Sequence, residues 1–358
     1  MLSRWTILFT LAVLLVCTGC IKQIDVETRN QKPVLVIEGS ITTDTVPYTV
    51  RLSYSGPFTR GNVIPDEFLE KQANVAISDH LGNEVSLVHK GDGIYETTDP
   101  SYIGTVGRSY RVTVTLKNGK AYTSVPEKIA AAVPITNIST GFNFFTPSGI
   151  NVYAGVDDAA NQENYYQWLF YAWAPRKTNG ISCGIGCIQY EYCFQKVTHN
   201  NLTILSDAAI NGNKIRGQFI GVSPIYWFGR HYIDIGQLST TREAFQFLQR
   251  LNEQQNRTGN ILDPLPASIK GNVYNVADPN DFALGYFSAA GVTHKRAILI
   301  PFSITQFMLD QTAAVFIPRG PKICFEAFPD ALIYPPEPSQ QNPPPPGWEN
   351  AEVIEVRW

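Results

Sequence analysis

The stretch "SYRVTVTLKNGKAYTSVPEKI", residues 109–129, sets Tyr110, Val112, Val114 and Leu116 in strict alternation with polar residues and then turns at Asn118-Gly119. A period of two sends alternate side chains to opposite faces of a strand, and Asn-Gly supplies the positive φ that a two-residue hairpin turn requires. A helix would scatter these apolar residues around its axis. The same rhythm occurs twice more upstream. In residues 33–58 the runs Val34 to Ile37 and Tyr48 to Tyr54 flank Gly39, Asp44 and Pro47, with Val50, Leu52 and Tyr54 alternating against Thr49, Arg51 and Ser53. Residues 73–97 repeat it around Gly82-Asn83 and Gly91-Asp92-Gly93. Short strands at this spacing predict an immunoglobulin-like β-sandwich over 33–130.

Pro126 and Pro134 mark its end, and a larger β-rich domain is expected over 131–334. Residues 135–175 read as two or three strands, the last of them dense in aromatic side chains. One segment is helical. "STTREAFQFLQRLNEQQNRTG" opens with Thr240 and Glu243 in capping-box spacing and closes at Gly259, which predicts a helix over 240–257. Its stripe of Phe245, Leu248 and Leu251, broadened by Ala244 and Phe247, is expected to pack on a sheet. The fold class is therefore mainly β, with one amphipathic helix in the second domain. From 335 to 358 the chain is proline-rich, and four consecutive prolines favour polyproline II.

The N-terminus carries the only long apolar run. "WTILFTLAVLLV" (5–16) follows a single basic residue and is too short for a spanning helix of about 20 residues, so 1–19 reads as a secretory signal. Thr18-Gly19-Cys20 resembles a bacterial lipobox, which makes Cys20 the acylated first residue of the mature chain and 20–32 a polar tether to the membrane. An ordinary cleaved signal is the alternative. With 28 Lys and Arg against 31 Asp and Glu and no basic run, the chain lacks the charge needed to hold nucleic acid.

The exported chain places Cys183, Cys187, Cys193 and Cys324 in an oxidising compartment, where three disulfide connectivities exist. We expect Cys183 with Cys187 and Cys193 with Cys324, although zinc bound with the help of nearby His199 remains an alternative. Asp157, Asp158 and Glu163 read as a solvated turn or as calcium ligands. The five histidines are dispersed, and no HExxH, P-loop, GxGxxG or GxSxG motif is present; Ser223 lacks the second glycine of the last. No catalytic residue, metal ligand or cofactor is assigned. A carboxylate pair of the glycosidase kind would meet only in the fold.

Three segments, "PVLVIEGSITTDTVPYTVRLS", "ENYYQW" and the stretch from "TREAFQFLQRLNEQQNRTG" through "HKR", resemble the Bacteroidota lipoproteins grouped as domain-of-unknown-function family 4249. The resemblance covers most of 20 to 326 and is most specific over 239–296. It implies an outer-membrane lipoprotein, anchored through Cys20 and encoded beside a SusC-type TonB-dependent transporter, that assists nutrient uptake or surface binding without catalysis. "DTV" at 44–46 is similar to the short sequence at which Bacteroidota O-glycosylate exported proteins, at Thr45. The cell-surface side is favoured. Exposed aromatics suited to a glycan or peptide ligand, or to a transporter, are Trp173, Tyr226, Trp227 and Trp348. A free-standing adhesin and a hydrolase with a site assembled only in the fold are the other readings.

Overall fold

The computed structural model describes residues 33–56, 64–143, 148–157, 163–177, 181–184, 187–189, 192–199, 201–208, 212–226, 229–256, 268–278, 280–301, 348 and 350–356, with backbone pairing alone from 177 to 193. Val34–Ser55 and Val63–Trp358 form one compact unit; the other, Met1–Pro33 with Gly56–Asn62, falls almost wholly outside the described residues. The first strands are β1 (Leu35–Thr42), β2 (Thr49–Tyr54), β3 (Asn74–Asp79), β4 (Glu84–Gly91), β5 (Ile94–Thr97), β6 (Ser109–Thr115), β7 (Ala121–Ser124) and β8 (Glu127–Lys128). There follow β9 (Ile135–Asn143), β10 (Gly149–Asp157), β11 (Tyr165–Lys177), β12 (Ile181–Gly184), β13 (Cys187–Gln189), β14 (Tyr192–Thr198), β15 (Thr203–Ser206), β16 (Lys214–Pro224) and β17 (His231–Thr240). Helix α1 (Arg242–Gln255) precedes β18 (Lys270–Asn275), β19 (Phe282–Leu284), β20 (Phe287–Pro301) and β21 (Glu352–Val356). The chain is mainly β, as the alternation predicts. None of its described helices is long and apolar enough to cross a membrane.

The three hairpins expected from turn chemistry form: β3–β4 turns at Gly82, β4–β5 at Gly91-Asp92-Gly93 and β6–β7 at Gly119, each with positive φ. Their strands do not close a layer alone. The hydrogen-bonded order runs β1-β19-β18-β7-β6-β3-β4-β5-β2, and β2 pairs back onto β1, so nine strands make a closed circuit and leave no open edge. Two of the nine, β18 and β19, come from beyond residue 269. Inside lies the first core, with Ile37, Leu52, Ile77, Tyr95, Tyr110 and Phe287 buried to 1% exposure or less.

A second core forms between two sheets. The three-stranded sheet β16-β10-β9 faces the sheet β14-β11-β17-β20, to which β21 adds in parallel along β20. Ile150, Val152 and Ala154 from the first meet Tyr166, Trp168, Phe170, Ile233 and Ile235 from the second. The indole N–H of Trp168 donates to Gln237 Oε1 at 2.8 Å, which satisfies a buried donor in an otherwise apolar layer.

Strand β20 belongs to both bodies of structure. Phe287 to Ala290 pair in parallel with Gly39 to Thr42 of β1, and Gly291 to Leu299 pair antiparallel with β17. Two glycines make this run possible. Gly285, at φ +83°, separates β19 from β20 where a β-carbon would stand 2.3 Å from Ile37 O. At Gly291, where β20 changes partner, the chain passes under the link after β8, and a β-carbon would stand 2.2 Å from Ala130 O.

The second half of β20 is further held by charge to β17 and to the loop after β1. His294 bonds through Nδ1 to Asp234 Oδ1 on β17 at 2.8 Å and through Nε2 to Asp44 Oδ2 in the loop after β1 at 2.9 Å. Arg296 Nε donates to the other Asp234 oxygen at 3.0 Å. The Asp234 bond, opposed by burial and helped by Asp44, raises the His294 pKa above its ordinary value.

Three expectations require correction. The helix begins at Arg242 with Thr241 as its N-cap, because Thr240 is the last residue of β17 and its hydroxyl donates to Tyr165 O. The segment 335–358 does not remain a proline-rich tail throughout: 352–356 is strand β21, whose Val356 is buried. Trp348 is not an exposed contact. It is only 8% exposed and packs edge-on against Trp173 and Tyr232, beside Phe194 and Ile298, on the outer face of the β17 sheet.

Two outcomes test these constraints. Gly291→Ala should lower unfolding free energy by about 1–3 kcal/mol, measured by chemical denaturation, because backbone rather than a flexible side chain blocks the new methyl group. His294→Asn should cost most stability below about pH 6.5, where the imidazolium is charged in both states. The difference from wild type should shrink as pH rises through the raised folded-state value, read as melting temperature across a pH series.

Candidate functional site

The outward faces of three strands in the closed circuit follow from their alternation. As β1, β2 and β5 turn Ile37, Leu52 and Tyr95 inward, they turn Glu38, Arg51 and Glu96 outward. Arg51 lies directly opposite Glu38 across the β1–β2 pair. These three side chains form one wall of a groove of about 610 Å³. Leu169 of β11 and Leu238 of β17 contribute from the second sheet, and helix α1 overhangs with Ala244, Phe247, Leu248 and Leu251.

The helix is the informative element. Of its apolar stripe only Ala244 is buried; Phe247, Leu248 and Leu251 stay half-buried and line the groove rather than closing a core as the periodicity suggests. It is held chiefly at its N-terminus. Thr241 Oγ1 accepts from Ala244 N at 3.2 Å while its hydroxyl donates to Glu127 on β8. Glu127, only 4% exposed, also accepts from the Tyr286 hydroxyl and from Asn272 Nδ2. Burial pushes the Glu127 carboxyl above its ordinary pKa, and the three donors work against that rise. One buried carboxylate thus fixes the helix start and the ring of Tyr286, whose face meets Phe247 at 4.9 Å on the groove. On the other flank Arg242 pairs with Glu163, and its Nε donates to the Tyr165 hydroxyl at 2.7 Å.

A second cavity, about 550 Å³, contains Asp44, Thr45, His294 and Arg296. Thr45 is exposed there, with its N–H donating to Asp44 Oδ1 at 2.8 Å. The sequence-chosen aromatics do not converge on either cavity. Trp173 is half-buried against Trp348, Tyr226 lies beneath the Arg176 guanidinium at 3.3 Å, and Trp227 is outside the described residues. Cys20 and Cys324 are likewise outside, and the side chains of Cys183, Cys187 and Cys193 are too, although Cys187 pairs through its backbone with Gly184. Asp157 is ion-paired to Lys214 at 3.0 Å and Glu163 to Arg242, while Asp158 is outside the description. Among the described residues no group of three His, Cys, Asp or Glu side chains gathers at metal-binding distance.

Ser223 and His231 do meet, Oγ to Nδ1, at 2.7 Å. Both are fully buried, and burial lowers the histidine pKa to about 3, so the ring stays neutral. No substrate reaches such a pair, which serves as a hydrogen bond inside the second body. The groove residues Glu38, Arg51, Glu96 and Tyr286 carry no motif, nor does the buried Glu127 behind the helix start. For Glu38, Arg51 and Glu96 the only sequence signal is the wet half of each strand's alternation.

Thr241→Ala removes the helix cap and one donor to a buried carboxylate. Denaturation should show a loss of about 1–2 kcal/mol, and Thr241→Ser should restore most of it.

No curated protein matches the chain. Among solved structures it is similar to a two-domain fibronectin type-III segment of chicken tenascin, at 12% identity over 58% of this chain and 90% of that one, with a TM-score of 0.16. It is also similar to a tetra-tandem repeat in the extending region of a large adhesion protein, at 14% identity over 58% of this chain and 46% of that one, with a TM-score of 0.16. Residues 21–296, most of the chain, match one family throughout, and the chain belongs to that family, described as a domain of unknown function, DUF4249.

Proposed function

We propose that this chain is a non-catalytic binding protein, tethered to the outer membrane through lipidated Cys20, that serves a TonB-dependent transporter and uses the groove beneath helix α1 as its ligand site. The observation that carries the binding role is the helix's open apolar stripe. Leu248 and Leu251 remain incompletely buried above a volume within the range of about 300–1,000 Å³ typical of ligand pockets. A helix that served the core alone would close this gap, since interiors leave few voids larger than a water molecule. The signal sequence and the Thr18-Gly19-Cys20 lipobox support the tether, and the polar stretch 21–32 supplies reach from the bilayer. The transporter association rests on the resemblance of the quoted segments to Bacteroidota lipoproteins encoded beside such transporters.

Copurification of a tagged chain from native outer membranes in mild detergent tests this reading. Recovery of one TonB-dependent transporter in near-equal amount is expected. Recovery of the lipoprotein alone would overturn the stable complex and leave a free-standing surface binder.

A further inference from the structure

The groove wall carries an unbalanced charge. Glu38 and Glu96 flank Arg51 on the outer faces of β1, β5 and β2, with Arg51 opposite both Glu38 and Ile94 in strand register, two residues along β5 from Glu96. Among the described residues, none of the three side chains forms an ion pair or hydrogen bond. One guanidinium cannot neutralise two carboxylates, so the wall keeps a net negative charge. It faces the apolar Phe247, Leu248 and Leu251 across the groove.

From this juxtaposition we infer that the groove takes an extended peptide segment in which apolar residues alternate with basic ones. The inference rests on the ligand-site reading above and names its occupant. An extended chain points successive side chains to opposite sides. Its apolar residues then meet the helix stripe while its basic residues meet Glu38 and Glu96. Ser40, Thr49, Gln167, Thr240 and Ser288 line the same groove and offer donors and acceptors to a peptide backbone. A glycan fits less well. The groove's two aromatic rings, Phe247 and Tyr286, pack on each other at 4.9 Å and so are not free as an open platform for a sugar face.

The test uses the detergent-solubilised full chain and a fluorescent, capped octapeptide of alternating leucine and lysine, with anisotropy read at physiological salt. The lysine peptide should bind, and the same peptide with glutamate in place of lysine should not. The double variant Glu38→Gln with Glu96→Gln should raise Kd by about tenfold while the melting temperature holds. Leu248→Asn should weaken binding as well, whereas Asp278→Asn, an exposed acid outside the groove, should leave Kd unchanged. Equal binding of the two peptides, no binding of the lysine peptide, an unchanged Kd in the double variant, or displacement of the peptide by a neutral oligosaccharide would each overturn the proposal. Transporter copurification by the double variant separates the two readings. If the complex survives while peptide binding fails these criteria, the accessory role stands and only the ligand class falls.

Discussion

The parallel pairing of β1 with β20 is the constraint on which the other features depend. It joins residues 39–42 to residues 287–290, and the same strand then continues as a central member of the second sheet. Parallel neighbours cannot be joined by a tight turn. Here about two thirds of the chain lies between them, and the first circuit cannot close until β18 and β19, which follow the strands of the second core in sequence, have joined it. A closed circuit removes exposed edges, which favours solubility. The cost is a long loop-closure step before the contacts that reward it exist.

Because β20 is shared, the outer face of β1 and β2 stands beside the outer face of β11 and β17. The groove exists because two strand surfaces meet there and the helix, capped by Thr241 and leading out of β17, overhangs both. Glu127 ties the start of that helix to the first circuit. A carboxylate with 4% exposure needs its donors, and it takes them from the helix cap, from Tyr286 and from Asn272 of β18 at once. The helix start is thereby fixed relative to β8 and β18, and its apolar stripe is held over the groove.

His294 plays a parallel part at a different place on β20. Two carboxylates, from the loop after β1 and from β17, meet its two ring nitrogens, so the clasp is strongest with the ring doubly protonated. Hydrophobic burial and backbone ladders carry most of the stability, and this clasp adds a proton-dependent increment at the strand where both bodies meet.

The sequence by itself determined the mainly β class, the hairpins at Gly82, Gly91 to Gly93 and Gly119, the single helix and its approximate span. Each of these is set by neighbours within a few residues: a period of two, a turn that needs positive φ, a 3.6-residue stripe. It could not determine that Thr240 ends a strand and Thr241 starts the helix, since two adjacent threonines offer equal local caps and only pairing with Tyr165 separates them. Nor could it bury Trp348, whose partners Trp173, Tyr232 and Phe194 lie far back along the chain. The tertiary structure alone decided that Glu38, Arg51 and Glu96 share a wall facing Leu248 and Leu251, and that Glu127 sits beneath a helix more than a hundred residues away. Strand alternation says which side chains point outward, and only the long-range pairing of β1 with β20 says what stands opposite them.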